Sequence, residues 1–376
     1  MPVFLAPMAG FTDAAMRRVC HQFGAALTYT EMVNASGVLH DSDKTWHLLE
    51  TFPDEGPVVA HLYGAEPAVL GDAAACVAQT GRFVAIDLNA GCPMRKITSQ
   101  GAGAALIAQP ELVHRIVASM KQATTLPITV KTRIGKHPDK IAVFELLDAV
   151  SSAGGDALAV HGRFVSQEHS GDVRLDLLAE IKRISRIPII GNGGIYSAND
   201  ARLMFQTGVD AIMIARAATG NPWIFPEIEA SLRARPIAPL TDGSLPDILA
   251  APRISKAGVR PSANQRDASH RSLSEIRQVL EKHMDGELEL LQRIRERYRL
   301  PPHALPLERA AVATFRCHLF RYLHGLRGSS YVRGHLNTMR TMDDIRAALD
   351  GCFQREANYR AHAPASAGDR AVVEEK

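Results

Sequence analysis

One lysine stands in an otherwise neutral β-branched run, Thr129-Val130-Lys131-Thr132. An isolated charge is costly to bury, so a lysine there requires a partner: a bound anion, a polarised carbonyl or a structural ion pair. Cys92 lies in Asn89-Ala90-Gly91-Cys92-Pro93, where glycine and proline on either side mark a loop tip unlike the setting of an inert core thiol. Cys20, Cys76, Cys317 and Cys352 fall in helical or tail sequence and read as inert. His161, followed by Gly162 and Arg163, ends another apolar run; it serves equally as a satisfied core histidine or as a site residue. Two further runs end in Asn192-Gly193-Gly194 and in Ala215-Arg216. Such loops either are tight turns that need glycine or offer backbone N–H groups and a guanidinium to a phosphate. Taken with Lys131 and His161, they point to a phosphorylated cofactor.

These residues fall at regular places in a repeating pattern. Short apolar, β-branched runs at 3–6, 27–30, 58–63, 84–89, 128–133, 157–161, 189–192 and 211–215 read as strands. Helical periodicity lies between them at 13–23, 66–79, 110–122, 141–152, 175–184 and 197–205, the last with Ser197 as its N-cap. Strands separated by helices imply parallel pairing with right-handed crossovers. Eight of them within about 235 residues is the size of a (β/α)8 TIM barrel. A doubly wound open sheet is the lesser alternative, because no strand–GxGxxG–helix unit occurs near the start. Barrels of this kind carry their chemistry at the C-terminal ends of the strands. Those ends hold Pro7, Met8 and Ala9 after the first strand, His61 in the third, Asn89 and Cys92 after the fourth, and Lys131 and Arg133 in the fifth.

The chain has 376 residues, 46% hydrophobic and 22% charged, which excludes disorder as its main state. It contains no run of eighteen apolar residues and no basic leader, so neither a membrane span nor a signal peptide is expected. Five scattered cysteines without a CxxC pair argue against a disulfide framework and a zinc site; the expectation is a cytoplasmic protein without metal. Net charge is only +3, but residues 290–340 hold ten arginines against two glutamates, a local +8 that leaves −5 on the rest. A mildly acidic body with an arginine-dense segment suggests a polyanion partner; a solvated helical face is the plainer alternative. Residues 236–272, rich in Pro, Ala, Ser and Gly, read as a flexible linker or insertion. Helical patterning returns over 273–350, and 351–376 reads as a polar tail.

The motifs APMAGFTD at 6–13, DLNAGCP at 87–93, GAGAAL at 101–106, VKTRIG at 130–135, VHGR at 160–163, IIGNGGI at 189–195 and IMIARAATGNPWIF at 212–225 together resemble the tRNA-dihydrouridine synthases. The resemblance covers about residues 2–228. It resumes over 273–350, where His283, Arg316-Cys317-His318 and Gly325-Leu326 resemble that family's C-terminal helical domain. It implies an FMN-containing barrel that reduces the C5–C6 double bond of uridines in tRNA, with NADPH as electron source. By this resemblance Cys92 is the general acid, and a thiol of ordinary acidity, about 8.5, is mostly protonated at pH 7. Pro7, Met8 and Ala9 would line the flavin, Lys131 would face its N1/O2 edge, and His161 would contact it. Asn192, Gly193, Gly194, Ala215 and Arg216 match the phosphate-side loops, and Asn89 would hold the target uracil. His61 stands where the family usually has a flavin-contacting Gln, and Gly194 where an acidic residue is common. The arginine-rich domain, 273–350, would then grip the tRNA, and a monomer is expected. The competing readings are a flavin-barrel oxidoreductase acting on a small-molecule pyrimidine and a non-catalytic RNA-binding protein.

Overall fold

The computed structural model describes residues 1–40, 42–237, 271–298 and 306–362. Eight strands form one parallel sheet: β1 (Val3–Leu5), β2 (Thr28–Asn34), β3 (Val58–Tyr63), β4 (Ala85–Ala90), β5 (Ile128–Arg133), β8 (Ala157–His161), β9 (Ile189–Asn192) and β10 (Ala211–Ile214). A small hairpin, β6 (Gly135–His137) and β7 (Lys140–Ile141), follows β5. In the sheet β1 lies beside β10 and β2 lies at the other end. A parallel bridge between Phe4 and Leu27 joins those ends, with Leu5 N–H donating to the Leu27 carbonyl at 2.9 Å. The sheet is thereby closed into the expected (β/α)8 barrel.

Side chains alternate across each strand, so two apolar populations arise from one sequence run. Ile86, Leu88, Val130, Val160 and Ile189 face outward and meet helix residues such as Val113, Ile116, Leu146 and Leu178 in the large strand–helix core. Tyr29, Val59, Ala85, Ala157, Ala159, Ile190, Ala211 and Met213 fill the barrel interior. The inward set continues up the strands as polar residues: His61 after Val59, Asp87 and Asn89 after Ala85, His161 after Ala159, Asn192 after Ile190. Strand parity thus delivers these side chains to one end of the barrel.

The hairpin at 135–141 and the short helices Ala35–Leu39 and Asp43–His47 lie outside the sequence-based pattern, being too short to show a period. Helix Ile224–Ala234 leads out of the barrel. Most of the expected linker, 238–270, and the end of the expected tail, 363–376, lie outside the described residues. The expectation of a polar tail from 351 needs correction. The last helix, Met342–His362, runs through that boundary because Cys352, Phe353 and Glu356 are buried on one face of it.

Helix Leu273–Arg297 begins with a capping box, Ser272 accepting from the Glu275 N–H while Glu275 accepts from the Ser272 N–H. It packs with Leu307–Tyr322, Ser329–His335 and Met342–His362 around Leu280, Met284, Phe315, Leu319 and Leu349. Val19 and Trp223 of the barrel belong to that same core. The bundle therefore docks on helix Ala14–Gln22 through apolar surface, and Arg18–Glu289 and Arg297–Glu50, both at 2.9 Å, flank the contact.

One buried ion pair fixes the loop between β1 and that helix. Arg17 is 0% exposed and donates to Glu55 Oε1 at 2.9 Å, to the Thr12 carbonyl at 2.8 Å and to the Glu50 carbonyl at 2.7 Å. Glu55→Ala leaves that guanidinium buried without its counter-charge and is expected to cost about 3–5 kcal/mol. Urea denaturation measures it; a midpoint within error of the parent would show that Arg17 is satisfied by the carbonyls alone.

Candidate active site

The polar end of the barrel encloses a cavity of about 360 Å³. Every residue singled out from the sequence lines it: Pro7, Met8 and Ala9 on one side, then His61, Asn89, Cys92, Lys131, His161, Asn192, Gly193, Gly194, Ala215 and Arg216. Register explains the convergence. Asn89 pairs with Lys131, Arg133 with His161, and His161 with Asn192, which itself pairs with Met213, so the groups form adjacent steps of one ring.

The side chains are held individually. Asn192 Nδ2 donates to the Met213 carbonyl at 2.7 Å, which turns its oxygen toward Lys131 Nζ at 3.1 Å. His61 Nδ1 meets Asp87 Oδ2 at 2.6 Å, and Asp87 Oδ1 accepts from Thr129 at 2.5 Å. With Nδ1 donating to the carboxylate, Nε2 is the nitrogen left for the cavity. Asn89 Oδ1 accepts from the N–H groups of Gly91 and Cys92, at 3.1 and 3.0 Å. Its main task is to shape the turn that presents Cys92, and only Nδ2, 3.5 Å from the Met32 sulfur, remains for a ligand. Gly193, at φ 108°, is required: a Cβ there would meet the His161 ring.

The electrostatics are one-sided. Burial, and then the nearby Arg133, pull Lys131 down to about 8. Burial and Arg163 pull Arg133 down to about 10, and burial also lowers Arg163. Burial together with Arg133 and Lys131 drives His161 well below the imidazole range, so it is neutral at pH 7. No Asp or Glu lines the cavity among the described residues. Arg163, fully buried, gives Nε to the Gly171 carbonyl but leaves Nη2 without a hydrogen-bond partner. Among the described residues the N–H groups of Gly194, Ile195 and Arg216 donate to no protein acceptor. A cavity lined by cations without carboxylates, with free amides at Gly-rich loops, fits an anionic, phosphate-bearing ligand.

Several contributors were not singled out as site residues in the sequence. Met32, Tyr196 and Met94 line the cavity without a motif to mark them. His169 lines it too, stacked on His161 with ring centroids 6.2 Å apart. Arg133, expected at a chemistry-bearing strand end but with no role assigned, braces the Cys92 turn through the Gly91 carbonyl at 3.2 Å and holds the Phe164 and Glu168 carbonyls. Exposed Arg95 and Lys96 follow Cys92. Phe11, on the rim, packs 5.8 Å beneath the guanidinium of Arg321 from the helical domain.

Of the ten arginines in 290–340, Arg299 lies outside the described residues, as does His303 of that window. Arg297 is tied to Glu50, and Arg316 donates to the Met339 carbonyl. Arg309, Arg321, Arg327, Arg333 and Arg340 are exposed. The basic segment is thus partly structural and partly solvent-facing.

Residues 4–241 match the protein family described as dihydrouridine synthase (Dus). A probable tRNA-dihydrouridine synthase of Treponema pallidum is 34% identical over 249 residues, 64% of this chain and 73% of its own. The tRNA-dihydrouridine synthase B of Shewanella oneidensis is 37% identical over 228 residues, 60% and 70% of the two chains. That of Pseudomonas aeruginosa is 38% identical over 244 residues, 64% and 73%.

Asn89→Ala removes the acceptor shared by two loop amides, at an expected cost of about 1–2 kcal/mol. Hydrogen exchange of the Gly91 and Cys92 amides should accelerate while the strand amides of β5 stay protected. Unchanged exchange in the turn would mean that Arg133 alone holds it.

Proposed function

The chain belongs to the dihydrouridine synthase family, and on that premise we infer that it is an oxidoreductase forming dihydrouridine in tRNA, with FMN as its bound cofactor and NADPH as the electron source. The observation that carries this reading is the carboxylate-free ring of cations with Cys92 beside it. A dianionic phosphate and a ring that gains negative charge on reduction both match that field.

The free amides at Gly194 and Arg216, the Arg216 guanidinium and the Gly193 turn would hold the phosphate, with Asn192 and Ala215 at the strand ends below. Pro7, Met8 and Ala9 would bound the ring system on one side, with neutral His161 offering an uncharged contact. Lys131, steered by Asn192, would set its charge against the ring edge that becomes anionic, and His61 Nε2 would hydrogen-bond an edge atom. Bound and reduced, FMN supplies a hydride for uracil C6. Cys92 gives its thiol proton to C5, so one hydride and one proton add across the double bond. The thiolate left behind lies in the field of Lys131 and Arg133, both of which couple to the Cys92 sulfur, until solvent reprotonates it. Asn89 Nδ2 is the atom available to orient the uracil.

A uridine stacked in folded RNA has to be extruded to reach such a cavity. The rim supports this substrate: Arg95 and Lys96 on the Cys92 side and Arg321 over Phe11 can meet flanking phosphates. A free base would need neither.

Cys92→Ala is expected to keep FMN at unchanged affinity and to lose dihydrouridine formation by at least about 100-fold. Nucleoside mass spectrometry of tRNA incubated with enzyme and NADPH measures it; near-parental product would remove Cys92 from the proton step. A second test uses pH. An amine held at about 8 is charged at pH 7 and mostly neutral at pH 9.5, and an anion bound beside it restores the charge by taking up a proton. Affinity for reduced FMN, whose ring edge is the anion beside Lys131, should therefore weaken as pH rises from 7 to 9.5, by as much as about 30-fold, measured anaerobically. Lys131→Met should flatten that profile, and an equal slope in parent and variant would place the titration elsewhere.

A further inference from the structure

Beneath the cavity loop, where the barrel meets the helical bundle, three buried side chains with metal-binding chemistry converge. His283 and Glu287 lie one turn apart on helix Leu273–Arg297, and His318 faces them from helix Leu307–Tyr322. Each is only 1% exposed, and their donor atoms all lie within 4.8 Å of one another. The two imidazoles are 4.4 Å apart between centroids and tilted by 58°. Asp13 enters from the barrel side. Its Oδ1 caps helix Ala14–Gln22 through the Met16 N–H, and its Oδ2 points at His318 Nε2 from 3.8 Å.

The cluster is not a completed hydrogen-bond network. His283 Nε2, Glu287 Oε1 and both ring nitrogens of His318 are buried without a hydrogen-bond partner. Buried polar atoms are nearly always satisfied; His318 Nε2 faces the Asp13 carboxylate as an ion pair, and the three orphans that remain require an explanation. The atoms that do have partners are the outward ones. His283 Nδ1 bonds the Tyr322 hydroxyl at 3.0 Å, and Glu287 Oε2 accepts from Thr314 at 3.2 Å. Bonding the far nitrogen of an imidazole and the far oxygen of a carboxylate is how outer contacts orient metal ligands.

We propose that His283, Glu287 and His318, with Asp13 as the fourth ligand, form a binding site for a divalent transition-metal cation, zinc being the ion best suited to two imidazoles and two carboxylates in a closed four-coordinate setting. Two carboxylates balance the ion's charge, so burial carries no net charge into the junction. Closing the site requires the donors to draw together by roughly an ångström, toward metal–ligand bonds of about 2.0–2.2 Å. The ion would be structural. It would pin two helices of the bundle to the last residue of the Pro7–Asp13 loop, whose Phe11 packs edge-on against His318 at 5.4 Å. Cysteine spacing could not reveal it, because no cysteine is among the ligands.

The proposal is independent of the flavin reading and is tested without activity. The full chain, treated with a chelator and desalted, is titrated with zinc against a competing chromophoric chelator, and with cobalt for its absorption. The expected result is one zinc per chain, a rise in melting temperature, and intense cobalt d–d bands of a four-coordinate N/O site. Glu287→Gln, nearly isosteric, should weaken zinc tenfold or more with an unchanged circular dichroism spectrum. No stoichiometric uptake by the parent chain overturns the proposal, and so does parental affinity in Glu287→Gln. If that variant fails to fold, the cobalt spectrum of the parent decides: weak six-coordinate bands place the ion on the surface and end the proposal.

Discussion

Uncompensated positive charge inside the barrel mouth is the constraint on which the rest of the structure turns. Lys131 and Arg133 in the cavity wall, and Arg163 behind it, are each pushed toward their uncharged forms by burial, and among the described residues no carboxylate lines the cavity. A protein built only for stability would have placed an Asp or Glu among them, because a charge without a partner is among the costliest things to bury. Asp87, the carboxylate that acts on Lys131, is already engaged by His61 and Thr129, and Glu168 and Asp172 act on Arg133 and Arg163 from outside the cavity lining. The deficit is therefore preserved for a ligand, and the anion that fills it supplies stabilisation the apo fold lacks. The other supports follow from it. Asn192 aims Lys131, Arg133 fastens the Cys92 turn through the Gly91 carbonyl, and glycine at 193 lets the chain pass where a Cβ would meet the His161 ring.

Much of this was legible in the sequence, for a reason particular to barrels. Period-two alternation sends every second residue of a strand inward, so the polar residues at strand ends, Asn89, Lys131, His161 and Asn192, had to converge once eight strands were recognised. The turn residues Gly193 and Gly194 and the Cys92 loop were equally readable from their composition. Less accessible were roles that depend on partners far apart in the chain. Nothing around Asp87 marks it as the anchor of His61, and nothing around Arg133 shows that it binds carbonyls from two loops. Asn89 lines the cavity, but its turn-capping bond is a matter of rotamer and not of residue type. The last helix was missed past residue 350 because Cys352, Phe353 and Glu356 leave too sparse an apolar stripe to stand out from their polar neighbours.

The helical bundle serves the site through the same short loop that lines it. Its apolar core takes in Val19 and Trp223 of the barrel, and Asp13 and Phe11 lie against His318. The loop from Pro7 to Asp13 therefore has the cavity on one face and the bundle on the other, braced by the buried Arg17–Glu55 pair. This arrangement gives the arginine-rich domain a fixed position relative to Cys92. Exposed guanidiniums such as Arg321 stand beside the mouth, where the proposed RNA contact would need them, while Arg297 on Glu50 ties the domain to the barrel and Arg316 on the Met339 carbonyl ties it internally.

On the proposed function, electrons held in this cavity pass to a uridine presented by tRNA. The most direct measurement is anaerobic: the FMN-loaded protein is reduced with NADPH, and the flavin absorbance is followed on adding tRNA that lacks dihydrouridine. Reoxidation by that tRNA, with dihydrouridine appearing in it and no response to free uridine, is the expected result. A flavin that is reduced by NADPH yet stays reduced in the presence of tRNA would contradict the account.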